Sequence, residues 1–161
     1  MDYIIEKMDR FTLAGYERNF DFDSAYKYIP EFWDEFMEMK RKDTDINING
    51  VFGVCIDDIG KDNKFRYMIA DMYDGGKLPG GFTTFDVGAY YWAKFTSTGP
   101  LPDSLQKLNS YVKNTWLRDN GKYEMAAAIN IEMYTMGDMS SSDYISEIWI
   151  PVKEKQEYQM K

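Results

Sequence analysis

Histidine is absent from this chain of 161 residues, and cysteine occurs once. The first absence excludes Ser–His and Cys–His nucleophilic arrangements and every histidine-ligated metal site. The second excludes an intrachain disulfide and suits a reducing compartment. Cys55 lies in the apolar run Val51-Phe52-Gly53-Val54-Cys55-Ile56, where a thiol is more often core filler than nucleophile. Basic residues are scarce, 19 against 27 acidic, for a net charge of -8. That balance repels a phosphate backbone, so no direct nucleic-acid partner is expected. No segment approaches the roughly 18 apolar residues of a membrane span, and Met1 to Glu6 has neither a basic region nor a long apolar stretch. The expectation is a cytoplasmic protein that does not engage a membrane. Phosphate-loop glycines, a dinucleotide fingerprint and metal-ligand spacing are also missing, so no cofactor and no metal are expected. Asp57, Asp58 and Asp62 lack the terminal glutamate of a calcium loop and read as a solvated turn.

Aromatic residues, by contrast, make up 17% of the chain, with 13 tyrosines, 10 phenylalanines and 4 tryptophans, joined by 11 methionines. A chain of about 150 residues buries roughly 70% of its unfolded surface and needs no staple. This aromatic content exceeds what such a core requires, so some rings are expected to line a cavity or an interface. An aromatic-rich core is the plainer alternative.

The strongest break is Asp74-Gly75-Gly76-Lys77-Leu78-Pro79-Gly80-Gly81. It divides a single domain over 1–155 into halves at 1–74 and 82–155, joined by a linker at 75–81, with a tail at 156–161. Each half reads strand, helix, strand, strand. In the first, a strand pattern runs from Tyr3 to Phe20, broken near Asp9-Arg10, followed by a helix and by strands over Val51–Asp57 and Lys64–Tyr73. In the second, a strand over Phe82–Thr96 precedes a helix and strands over Ala126–Tyr134 and Tyr144–Val152. Leu101, Leu105, Leu108, Val112 and Trp116 form one apolar helical stripe, with Pro102 in a tolerant first turn and Gly121 as a terminator. Ile29, Trp33, Phe36 and Met37 mark the first helix; Pro30 leaves its start open between Ser24 and Ile29. The predicted class is α+β, a duplicated unit with antiparallel sheets, a helix covering one face of each, and a ligand cleft between the halves.

Two segments near the end carry candidate chemistry. Strand side chains alternate faces, so Glu132 and Tyr134 share a face opposite Ile131 and Met133, and Glu147 and Trp149 share one opposite Ile148 and Ile150. If the segments pair, one face is apolar and the other joins acids to rings. A solvated face is the alternative, though large rings beside acids are unusual there. Tyr67 holds a comparable strand position, and Tyr91 shares a face with the small residues Ala89 and Ala93. A carboxylate in a partly dry cleft favours a cation, and each cation–π contact adds about 0.5–2 kcal/mol.

Taken together, Gly99-Pro100-Leu101-Pro102-Asp103, Trp116-Leu117, Ile131-Glu132-Met133-Tyr134, Asp143-Tyr144 and Glu147-Ile148-Trp149-Ile150-Pro151-Val152 resemble the GyrI-like small-molecule-binding domain. This is also the effector-binding domain of AraC-type and multidrug-sensing MerR-type regulators. Ile29-Pro30-Glu31-Phe32-Trp33 and Phe65-Arg66-Tyr67 match more loosely. The resemblance spans roughly Met1 to Lys153 and implies a duplicated fold with pseudo-twofold symmetry. It also implies that Glu132, Glu147 and Trp149 bind lipophilic cations, with Tyr67 and Trp33 as looser matches. No DNA-binding module accompanies the domain, so a stand-alone member is expected.

The leading expectation is a protein that captures aromatic, cationic or amphipathic compounds through Glu147, Glu132, Trp149, Tyr134, Tyr67, Trp33 and Tyr91. The resemblance also implies two other roles. One is a hydrolase of cyclopropane-bearing aromatic compounds, with Glu147 or Glu132 activating water and Tyr67 assisting. The other is a gyrase-inhibitor-like module that binds a protein partner through its acidic surface.

Overall fold

The computed structural model describes residues 2–60 and 63–156. Lys61 and Asp62 of the turn and the tail from 157 lie outside the described residues. The elements in chain order are β1 (Tyr3–Met8), β2 (Phe11–Asp21), α1 (Ala25–Lys42), β3 (Phe52–Ile56), β4 (Lys64–Met72), β5 (Thr83–Val87), β6 (Tyr90–Thr98), α2 (Asp103–Tyr111), β7 (Tyr123–Met125), β8 (Ile129–Tyr134) and β9 (Ile145–Glu154). They fall into two compact units, one over residues 11–87 and the other made of 1–10 together with the chain from 88 onward.

Within the 11–87 unit the strands lie in the order β3-β4-β2-β5, all antiparallel. Within the other unit the order is β8-β9-β6-β1, again antiparallel, with β7 pairing to β9. The repeat is therefore β2-α1-β3-β4 followed by β6-α2-β8-β9, and each repeat carries one added edge strand, β5 or β1. The α+β class and the duplicated strand-helix-strand-strand order hold.

The limits of two expected strands change. The run from Phe82 to Thr96 is two strands that part at Gly88-Ala89, because β5 pairs with β2 while β6 pairs with β9. The stretch before Asp9-Arg10 likewise pairs with β6 rather than β2. Periodicity records alternation along a strand and says nothing about which neighbour supplies the ladder. In the second repeat β8 begins only at Ile129, and Tyr123–Met125 forms a short strand before it.

The second helix pattern held its face; in the first, Phe36 is buried as expected, but Met37 is exposed and Phe32 takes its place in the core. Pro30 lies inside α1 rather than at its start. Phe32 and Phe36 of α1 are buried with Ala14, Phe20, Phe65, Tyr67 and Ile69. Leu105 and Leu108 of α2, then Val112 and Trp116 in a π-helical continuation over Val112–Trp116, are buried with Ala93, Phe95, Ile148, Ile150 and Val152. A side chain of this size contributes about 1.5–3 kcal/mol when buried. The helix ends at Asp119, before Gly121. The Asn120 carboxamide closes that end, donating to the Trp116 carbonyl at 2.9 Å and accepting from the Tyr123 amide at 2.6 Å.

Two details stiffen the 11–87 unit. A Cβ on Gly15 would lie 2.1 Å from the Ile69 carbonyl oxygen, so β2 and β4 approach only because that position has no side chain. Asp71 accepts from the backbone amides of Asn49 at 2.6 Å, Gly50 at 2.9 Å and Val51 at 3.0 Å, which ties the α1–β3 connection to β4. A carboxylate holding three amides is a strong, charge-assisted clamp.

Candidate functional site

Register decides which of the expected residues meet. In the β8–β9 pair, Glu132 faces Ile148, Tyr134 faces Ser146, Ile131 faces Trp149 and Met133 faces Glu147. Paired residues share a side of the sheet. Glu132 and Tyr134 thus point to the side covered by α2, where Tyr134 packs against the core of Ile148, Ile150 and Leu105. Glu147 and Trp149 point to the opposite side. The expectation of one face holding both acid–aromatic pairs is corrected: the two motifs are offset by one residue, and that offset sends them to opposite faces.

On the α2 side, the Tyr134 hydroxyl donates to Glu132 Oε1 at 3.0 Å. Tyr91 pairs with Val152 on this side, at an exposed edge. The hairpin loop is pinned by the Tyr144 hydroxyl, which donates to the Thr135 carbonyl at 2.8 Å, and by the Thr135 hydroxyl, which donates to the Ile145 carbonyl. Burial pushes the Tyr144 phenol above its ordinary range.

On the side away from α2, β6 sets Trp92 opposite Pro151, Lys94 opposite Trp149 and Thr96 opposite Glu147. Ile131 and Met133 of β8 complete this face, and Glu6 of β1 stands opposite Trp92. Trp149 is 7% exposed, its indole N–H donates to Glu147 Oε1 at 2.7 Å, and the Trp92 ring meets it edge-on at 6.4 Å. The Lys94 ammonium lies 3.8 Å from the centre of the Trp149 ring and pairs with the Glu6 carboxylate. Glu147 is half-buried, and among the described residues no cation pairs with it. Lys94, Trp92 and Glu6 were missed by the sequence reading, although Trp92-Ala93-Lys94 repeats the ring-and-charge alternation used to find Glu147 and Trp149.

Trp33 of α1 and Tyr67 of β4 lie in the 11–87 unit, where α1 packs on the sheet. The Trp33 indole N–H donates to the Tyr67 hydroxyl at 2.9 Å, and Tyr67 is 1% exposed. These two therefore meet each other in a core.

The repeat gives an internal comparison. The last residue of β2, Asp21, pairs with Lys64, and the last residue of β6, Thr98, pairs with Ile145. Matched from those ends, Glu147 corresponds to Arg66, Trp149 to Met68 and Lys94 to Glu17. Arg66 is neutralised inside its own unit by Glu17 at 2.9 Å and by Asp58 through two bonds at 2.9 and 2.7 Å. Hydrogen bonding to Asp58 foremost holds the Arg66 guanidinium above its ordinary range. At these matched positions the acid–aromatic pair occurs in the second repeat, and among the described residues its carboxylate has no ion pair.

A surface cavity of about 230 Å³ in the 11–87 unit is lined by Arg18, Asp21, Tyr28, Glu31 and Glu35 together with Asn19, Phe20 and Ser24, none of which was among the expected site residues. Among the described residues no cluster of three or more metal-capable side chains occurs, and no helix is long and apolar enough to cross a membrane.

The family model described as integron-associated effector binding protein, Cass2, matches residues 4–152. The structure of SAV2435 bound to tetraphenylphosphonium is similar at 26% identity and a TM-score of 0.81, covering 95% of this chain and 94% of that one. The integron cassette protein from the mobile metagenome of Vibrio cholerae aligns at 20% identity and a TM-score of 0.66, over 94% of this chain and 95% of the other. The C-terminal domain of EcmrR aligns at 21% identity and a TM-score of 0.60, over 96% and 98%. These last two likenesses speak to the fold alone. No curated relative matches the sequence.

Proposed function

This chain belongs to the integron-associated effector-binding proteins, GyrI-like domains that bind small molecules, and we propose that its ligands are lipophilic aromatic cations held by Glu147 and Trp149. One observation carries the reading. The Trp149 indole N–H donates to Glu147, so that an acid and a ring are locked side by side on one sheet face, and the acid has no cation of its own among the described residues. A partly buried carboxylate in that state gains most from an incoming cation, and a flat or multi-ring cation gains ring contact as well. The matched position in the other repeat, Arg66, is neutralised internally, which marks Glu147 as the exception. SAV2435, similar at 26% identity, has been seen with tetraphenylphosphonium, a ligand of this chemistry.

Glu147 is the electrostatic anchor and Trp149 the ring platform. Glu132 and Tyr134 support the hairpin from the α2 side. Capture of toxic or drug-like organic cations follows as the biological role. Titration with tetraphenylphosphonium, followed by tryptophan fluorescence, tests the reading. Glu147→Gln removes the charge at constant shape and weakens binding by roughly ten- to a hundredfold. Equal affinity in wild type and Glu147→Gln would remove the anchor, and no response to any lipophilic cation would remove the function.

A further inference from the structure

The ring face that an organic cation needs is already taken. The Lys94 ammonium sits 3.8 Å from the Trp149 centroid, and the Lys94 side chain is only 13% exposed. Among the described residues it pairs with Glu6, whose own side chain is 48% exposed, rather than with Glu147. β6 fixes this placement, since Lys94 is the direct cross-strand neighbour of Trp149.

We propose that Lys94 is a resident cation that competes with the ligand for the face of Trp149, and so sets both the affinity and the charge selectivity of the site. The inference rests on the reading of Glu147 and Trp149 as the ligand site. In the free protein the ammonium supplies the cation–π contact itself. An incoming organic cation gains its own contact with the ring only by giving up this internal one, so the net gain is the difference between the two. Lys94 has a route out: its four-carbon stem is flexible and its partner Glu6 is half-exposed, so the ammonium can swing toward solvent without losing that pair. A neutral aromatic compound meets the same obstruction by shape but has no charge with which to displace it. The site thereby rejects uncharged rings and admits cations that outbid a lysine, which favours bulky, weakly hydrated cations over small, strongly hydrated amines.

Two probes and two variants test this. The probes are tetraphenylphosphonium and its neutral counterpart triphenylphosphine oxide; the variants are Lys94→Met, which keeps the stem and removes the charge, and Lys94→Arg, which keeps a cation. Lys94→Met is expected to bind tetraphenylphosphonium roughly three- to thirtyfold more tightly than wild type, the span of one cation–π contact. The neutral probe, which cannot displace Lys94 in wild type, is expected to gain at least as much, and Lys94→Arg to behave as wild type toward both. Proton NMR of the ligand-free wild type supplies a readout that needs no variant. The Lys94 ε-methylene protons should be shifted upfield by the indole ring and should move back when tetraphenylphosphonium is added. Unshifted protons, protons that stay upfield on saturation, or Lys94→Met affinity no tighter than wild type would each overturn the proposal. If Glu147→Gln weakens binding while Lys94→Met leaves it unchanged, the Lys94 role falls and the ligand site stands. If no variant binds the cation, both fall together.

Discussion

Glu147 and Trp149 stand two positions apart in β9, and that spacing alone made their common face legible from the sequence. The same spacing put Glu132 beside Tyr134, and the bond between them at 3.0 Å bears it out. What alternation could not supply was the relation between the two pairs, because a shift of one residue in the ladder exchanges faces and leaves each strand's own pattern untouched. The difference is measurable. Tyr134→Phe, acting on the α2 side, should leave tetraphenylphosphonium affinity within about twofold of wild type, while Trp149→Phe, which keeps a ring but loses the donor to Glu147, should weaken it roughly tenfold or more, the scale of one lost hydrogen bond to a charged group. Equal effects would place both rings in the same site. The clamp made by Asp71 is not legible in the sequence, because its three amide partners lie 20–22 positions away. Asp71→Asn keeps the shape but weakens three charge-assisted bonds and should cost about 1–3 kcal/mol, read as a lowered urea midpoint with unchanged slope.

Elements were more legible than contacts. The apolar stripe from Leu101 to Trp116 announced a helix with one buried side, and Leu105, Leu108, Val112 and Trp116 are all buried on it. The stripe continues through a π-helical turn that spacing does not reveal, since a wider turn changes the hydrogen-bond ladder more than the apolar order. Leu108→Ala should cost about 2–5 kcal/mol in the same urea assay, because the position is surrounded by Phe95, Ile148 and Ile150 and cannot readily collapse. A cost under about 1 kcal/mol would mean that α2 is loosely docked. The duplication was legible as an order of elements, yet residue identity between the halves is weak, and the reason lies in the sheet faces. Under α1 and α2 both repeats need apolar side chains, whereas on the other face one repeat carries Arg66, Met68 and Glu17 where the second carries Glu147, Trp149 and Lys94. The helix-covered face repeats its apolar character, whereas the other face also buries Met68 and Trp149 but exchanges charge, Arg66 against Glu147 and Glu17 against Lys94, so the repeat persists in architecture while that face diverges.

At the scale of the molecule, the net charge of -8 acts on any approaching ion, beyond the reach of a single side chain. A negative field draws cations toward the surface before any contact with Glu147 or Trp149, and it acts on charge without regard to shape. Screening separates that field from the local contacts, because the Debye length shrinks from about 10 Å at 0.1 M to about 3 Å at 1 M salt, while a partly buried carboxylate is shielded much less. Raising sodium chloride from about 0.02 to about 0.5 M should therefore slow tetraphenylphosphonium association and weaken its affinity several-fold in wild type. Glu147→Gln should show nearly the same proportional loss, since it leaves most of the acidic surface in place. Triphenylphosphine oxide, carrying no net charge, should bind equally at both salt levels. Stopped-flow tryptophan fluorescence with the two probes would separate the terms, and a cation association rate indifferent to salt would confine recognition to the single sheet face that bears Glu147 and Trp149.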